Sequence, residues 1–223
     1  MFQDRDVLVR VLSSERVRGY EKRLGTSDPE TILSFVRWNT ALSQSLYSSL
    51  QVLEVGLRNS IHSAASRLFG RADWLDDANV LRHPHEFSAL EKARRDIAQR
   101  GGPESPGRLI AELSFGFWTS LLDKRYEQTL WPSLLKEAFP GMPRRVRTRA
   151  NLSRRFNVVR RLRNRVFHHE AIWHWTDLAD QHAHMMEAVG WISDDALGLA
   201  TSMDQFNLIH ARRPENPQAS RIS

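Results

Sequence analysis

Apolar positions recur at steps of three and four along most of the chain, which predicts an all-α protein. The pattern is clearest from Ser43 to Phe69, where Leu46, Leu50, Leu53, Leu57, Ile61, Ala64 and Leu68 form the stripe of one long core helix ended by Gly70. Before it, Ser27-Asp28-Pro29-Glu30 supplies a capping side chain, a first-turn proline and an acid at the positive helix end. That start predicts a helix through Ile32, Phe35, Val36 and Trp38. Residues 1–25, with Val7, Leu8, Val11, Leu12 and Val17, fit a short helix better than a strand and break at Gly25.

A further helix is expected from Pro84 to Arg100, stopped by Gly101-Gly102-Pro103. Ser105-Pro106-Gly107 opens the most apolar stretch, Leu109 to Leu122, which continues through Tyr126, Leu130 and Trp131 until Pro132. A shorter helix through Leu134, Leu135 and Phe139 ends at Pro140-Gly141-Met142-Pro143. Leu152, Phe156, Val159, Leu162 and Val166 mark the buried face of another. Leu178, His182, Met185 and Val189 line a helix ending at Gly190, and Trp191 opens a last helical stretch. These breaks separate helices rather than domains, so one domain over residues 1–211 is expected, with a disordered tail over 212–223.

Composition narrows the picture. At 223 residues with seven Trp, the chain has enough apolar material for a substantial core. The absence of cysteine excludes disulfides, thiolate metal sites and a Cys nucleophile. The N-terminal order is not that of a secretory signal and no apolar run approaches a bilayer span, so a cytoplasmic protein with no membrane partner is expected. His83 and His85 flank a proline without fixed neighbouring ligands, the pattern of loop surface rather than of a metal site.

Charge adds a direction. The net charge of +6 is compatible with solvated surface or with an anionic partner. Its distribution says more: from Ala138 to His169 there is no acidic residue, while Arg144, Arg145, Arg147, Arg149, Arg154, Arg155, Arg160, Arg161, Arg163 and Arg165 accumulate. Such a run repels itself unless something anionic faces it. It is either a solvated basic face or a nucleic-acid surface, with Arg154, Arg155, Arg160, Arg161 and Arg165 as the RNA-binding candidates. On the long helix, Glu54, Arg58 and His62 share one edge, either as exposed salt-bridged residues or as a polar row facing a site.

The run leads into Arg163-Asn164-Arg165-Val166-Phe167-His168-His169-Glu170. An imidazole with a pKa of about 6.5 can move protons at neutral pH, and a guanidinium beside it can hold a phosphate and stabilise developing charge. In RNA the 2′-hydroxyl supplies the nucleophile, so the two groups suffice for phosphodiester cleavage without a metal or cofactor. The same segment could instead be a structural helix end with histidines at the negative terminus of the dipole. Five-residue spacing sets Arg163 and His168 about 140° apart on a straight helix. They converge only if the helix breaks between them or if the groups meet across an interface, whereas Asn164 and His168 share a face.

The segment Leu162 to Glu170 resembles the signature of Abi-like proteins, the abortive-infection branch of the HEPN superfamily, in which an arginine, usually followed by a polar residue, is separated from a histidine by four to six intervening positions; Arg163, Asn164 and His168 match it with four. The similarity extends to Trp38-Asn39, Leu53-Glu54-Val55-Gly56-Leu57-Arg58-Asn59, Glu112-Leu113-Ser114-Phe115-Gly116-Phe117-Trp118 and Trp191-Ile192-Ser193. Gly56 departs from the pattern, standing where a better helix former is usual.

The resemblance implies a HEPN-like helical bundle with additional helices. It further implies a homodimer whose paired motifs cleave RNA without metal, as an antiviral toxin with a possible cognate antitoxin or inhibitor protein. Arg163 and His168 would be the catalytic pair, with Asn164 orienting the histidine or the substrate. His169, Glu170, Glu54, Arg58 and Asn59 would stand around them. The alternative is a HEPN-like RNA-binding or partner-binding module without catalysis. A DNA-binding regulator finds no helix-turn-helix spacing to support it.

Overall fold

The computed structural model describes residues 5–81, 83–103 and 105–215; Arg82, Glu104 and the remaining terminal residues, including the tail from 216, lie outside the described residues. The fold is all-α, with no strand among the described residues. The chain forms two compact units and passes between them inside three of its helices.

The first unit comprises residues 1–48, 164–182 and 204–223. Its N-terminal part is two helices rather than one, α1 (Arg5–Leu12) and α2 (Ser14–Leu24). Ser13 breaks the chain at φ 77° and caps α2 by accepting from the Arg16 N–H, and Gly25 closes α2 in the left-handed conformation. Arg5 and Glu21 tie the two helices at 2.6 Å.

Next comes α3 (Pro29–Phe69), 41 residues long, which merges the two helices expected before and after residue 40. Nothing between them breaks a helix, and Leu42 continues the stripe from Phe35 and Trp38 to Leu46. Asp28 caps α3 as expected, accepting from the Thr31 N–H at 2.8 Å.

The first unit's core is Val17, Ile32, Phe35, Leu42, Leu46, Ile172, Leu178 and Phe206, all essentially inaccessible. Trp38 donates its indole N–H to the Ile209 carbonyl at 2.9 Å, which anchors α11 (Phe206–His210). Arg213 lies over the Trp38 ring at 5.8 Å, so the start of the expected tail packs on this unit.

The second unit comprises residues 49–163 and 183–203. Here the C-terminal half of α3 buries Leu50, Leu53, Leu57, Ile61 and Ala64. Helix α4 (Pro84–Gln99) forms as expected. The apolar stretch after it divides into α5 (Pro106–Glu112), α6 (Phe115–Ser120) and α7 (Trp131–Ala138). Ser114 makes the first division by turning extended and accepting from the Phe117 N–H at 3.2 Å. Pro132 begins α7 instead of ending a helix, because a first-turn residue has no intrahelical partner for the N–H that proline lacks.

The remaining helices are α8 (Arg149–Phe167), α9 (Leu178–Ile192) and α10 (Asp194–Met203). Gly190 lies inside α9 and does not end it. A side chain on Gly141 would come within 2.1 Å of the Gly190 carbonyl oxygen, and the Gly141 N–H donates to Trp191 at 3.1 Å. Glycine at 141 is therefore fixed by close packing against α9. Among the described residues no helix is long and apolar enough to cross a membrane.

Candidate functional site

The motif lies at the C-terminal end of α8. The helix is unbroken to Phe167, so the break that would let Arg163 and His168 converge is absent from the segment between them. Termination follows a Schellman pattern: the Glu170 N–H donates to the Arg165 carbonyl at 2.9 Å and the His169 N–H to that of Val166 at 3.1 Å. His169 occupies the left-handed position at φ 56°, where glycine is usual. An L-residue there costs on the order of 1 kcal/mol, and histidine tolerates it better than most.

Arg163 is three-quarters buried and its Nε lies 3.4 Å from a carboxylate oxygen of Glu54, so one helix edge of the second unit holds the guanidinium. The rest of that edge is committed elsewhere. Arg58 donates to the Ala111 carbonyl at 3.3 Å, and Asn59 is exposed. His62 is clamped at both ring nitrogens, taking the Trp74 indole N–H on Nδ1 at 3.1 Å and facing Ser66 Oγ through Nε2 at 3.3 Å. Burial lowers its pKa. Of the row predicted from four-residue spacing, Glu54 is the member in contact with the motif arginine.

In the first unit, His168 and Asn164 are both exposed. They share a face of the final turn, where the His168 N–H donates to the Asn164 carbonyl at 2.9 Å. Among the described residues neither side chain makes a hydrogen bond, so Asn164 does not orient the imidazole directly. Phe167 packs against half-exposed Tyr47, ring centroids 5.5 Å apart. Asn39, buried on α3, accepts from the N–H groups of Ile172 and Trp173 at 2.8 and 3.2 Å, fixing the loop that leaves the motif.

The arginine run divides by partner. Arg147 donates to the Met142 carbonyl at 2.8 Å, Arg149 lies 3.3 Å from Glu127, and Arg165 pairs with Glu170. Arg155 pairs with Glu187, donates to the His184 carbonyl at 2.8 Å and covers the Trp191 ring at 4.7 Å. Much of the anionic complement is therefore the chain's own carboxylates, from outside the acid-free stretch. Arg144, Arg145, Arg154, Arg160 and Arg161 are exposed without a carboxylate partner among the described residues; Arg154 and Arg160 touch only Asn151 and Asn157. Of the expected RNA-binding set, Arg154, Arg160 and Arg161 are available to an anion, whereas Arg155 and Arg165 are internally engaged.

The first unit also carries an open cavity of about 450 Å³ whose wall includes Arg165, His169 and Glu170. Sequence reasoning missed its other cations, Arg16 and Arg23, and its aromatic Tyr20. Their spacing of four and three places all of them on one face of α2, which is the signal available before folding. Among the described residues no three His, Asp or Glu side chains converge as a metal site. Comparisons with family models, with curated proteins and with solved structures found no match.

Proposed function

We propose that the protein is a metal-independent endoribonuclease of the abortive-infection, HEPN-like type, acting as a homodimer on RNA. The observation that carries this is the Arg163-Asn164-x-x-x-His168 sequence at the exposed end of an arginine-rich helix, with Arg163 held by Glu54. His168 takes the proton from a ribose 2′-hydroxyl as that oxygen attacks phosphorus. The bond to the 5′-oxygen breaks, leaving a 2′,3′-cyclic phosphate and, after protonation, a 5′-hydroxyl. Arg163 binds the phosphate and stabilises its added charge.

Two copies answer the divergence of the pair, because groups that point apart on one helix can meet across a two-fold axis. The Tyr47 and Phe167 pair beside His168 supports this with apolar surface where the copies would join. Arg144, Arg145, Arg154, Arg160 and Arg161 would guide the strand, and an inhibitor protein would act by covering the same face. Incubating the purified protein with cellular RNA in EDTA tests the proposal: cleavage that vanishes in His168→Ala is expected. A second reading, RNA binding without catalysis, rests on those five arginines, which have no carboxylate partner among the described residues, and predicts salt-sensitive binding with intact RNA.

A further inference from the structure

Asn39, on α3 within the first unit, is 8% exposed, and its side-chain oxygen accepts from two backbone N–H groups, those of Ile172 at 2.8 Å and Trp173 at 3.2 Å. Ile172 and Trp173 are buried and lie outside any helix, so neither N–H has a regular backbone ladder to join. One turn earlier on the same face of α3, Phe35 packs its ring on that of Trp173 at 4.8 Å and 58°. The helix therefore grips this segment twice, through a polar acceptor and through an apolar ring. The grip is itself anchored. Trp38, next to Asn39, donates to the Ile209 carbonyl at 2.9 Å, and Phe206 at the start of α11 stacks on His182 at 4.3 Å and 19°.

Only His169, Glu170 and Ala171 separate this grip from His168. Among them His169 holds a left-handed backbone at φ 56°, which a non-glycine residue keeps only where its surroundings over-determine it. On the helix side those surroundings are the Arg165 and Val166 carbonyls that end α8. On the loop side they are the two bonds to Asn39. Without the second set, His169 is free to relax and the last turn of α8 to fray. The exposed imidazole of His168 makes no hydrogen bond of its own among the described residues, so the backbone is what places it.

We propose that Asn39 is a positioning residue for the reaction at His168: by holding the N–H groups of Ile172 and Trp173 it fixes the backbone that carries the imidazole. This rests on the ribonuclease reading of His168. Asn39 touches no reacting atom, so its loss acts on the rate and not on RNA affinity. A shift of about 1 Å in a reacting group can cost on the order of 100-fold in rate.

The test compares RNA cleavage in EDTA by the wild type, Asn39→Ala, Asn39→Gln and Asn39→Asp, each well below its melting midpoint, with amide hydrogen exchange followed at Ile172 and Trp173. Asn39→Gln keeps the amide but moves its acceptor by one carbon; Asn39 borders the open cavity, which leaves room for the longer side chain should Asn39→Ala not fold. Both variants should speed exchange at the two amides and lower kcat by about tenfold or more, with KM within about twofold. Asn39→Asp keeps the acceptor in place, and the Arg16, Arg23 and Arg165 side chains that border the same cavity suit its added charge. It should restore slow exchange and bring kcat to within about threefold of the wild type. Wild-type cleavage matched by both Asn39→Ala and Asn39→Gln, a loss confined to KM, or an Asn39→Asp as slow as Asn39→Ala overturns the proposal and leaves the ribonuclease reading standing. RNA left intact by the wild type overturns that reading and the proposal with it.

Discussion

His62 and Gly56 lie six residues apart on α3 and show how differently two side positions of one helix are constrained. Trp74 is wholly buried and its indole N–H can only donate, so Nδ1 of His62 must stay unprotonated and Nε2 carries the hydrogen toward Ser66. Burial lowers the His62 pKa below its ordinary 6.5, so the folded state prefers the neutral ring. The resulting stability is complete above about pH 6.5 and is lost as pH falls through the folded value. His174 and His182 shift the same way, His182 because burial outweighs the opposing effect of Asp204. The urea midpoint should fall between pH 7.5 and pH 5.5, and His62→Gln should reduce that fall. At Gly56 the nearest atoms to an added Cβ are those of Ile192 at 3.6 Å, an ordinary contact. Gly56→Ala should therefore stabilise the protein by about 0.5–1 kcal/mol, raising Tm by a few degrees.

At the scale of elements, α8 separates structural arginines from available ones. Arg155 joins α8 to α9 through Glu187, the His184 carbonyl and the Trp191 ring, whereas Arg154, its neighbour in sequence, faces solvent. Arg155→Ala should lower thermal stability by about 1–2 kcal/mol through lost packing and hydrogen bonds. Arg154→Ala should leave stability within about 0.5 kcal/mol and reduce the salt dependence of RNA binding by about one unit of slope. The periodic spacing revealed the apolar face of α8 from Leu152 to Val166, because burial there is set by local winding. It could not separate Arg154 from Arg155, since the carboxylate that engages Arg155 lies 32 residues away. Pro132 was misleading for a related reason: proline stops a helix in its interior and starts one in its first turn, and only the packed chain shows which.

At the scale of the whole molecule, the all-α class and the long central helix were legible, because apolar periodicity survives any arrangement of neighbours. The division into two units was not, since it depends on which distant segments meet: residues 1–48 close with 164–182 and 204–223. The cavity shares that origin, with α2 and the loop after α8 contributing to one lining from opposite ends of the chain. The proposed site was visible as a run of residues, and of the residues expected around it from the long helix the structure sets Glu54 beside Arg163. If Glu54 positions that guanidinium, Glu54→Gln should lower kcat with little change in KM, and Glu54→Asp should restore part of the loss. Dimer formation should be visible by sedimentation, with Tyr47→Glu shifting the protein toward monomer and reducing cleavage in parallel.

The central claim is that His168 moves the proton in RNA cleavage, and single-turnover cleavage of a defined RNA in excess EDTA addresses it most directly. The account predicts products ending in 2′,3′-cyclic phosphate and 5′-hydroxyl, with a rate at least 100-fold lower in folded His168→Ala. RNA left intact by the wild-type protein, or cut equally fast by His168→Ala, would contradict it.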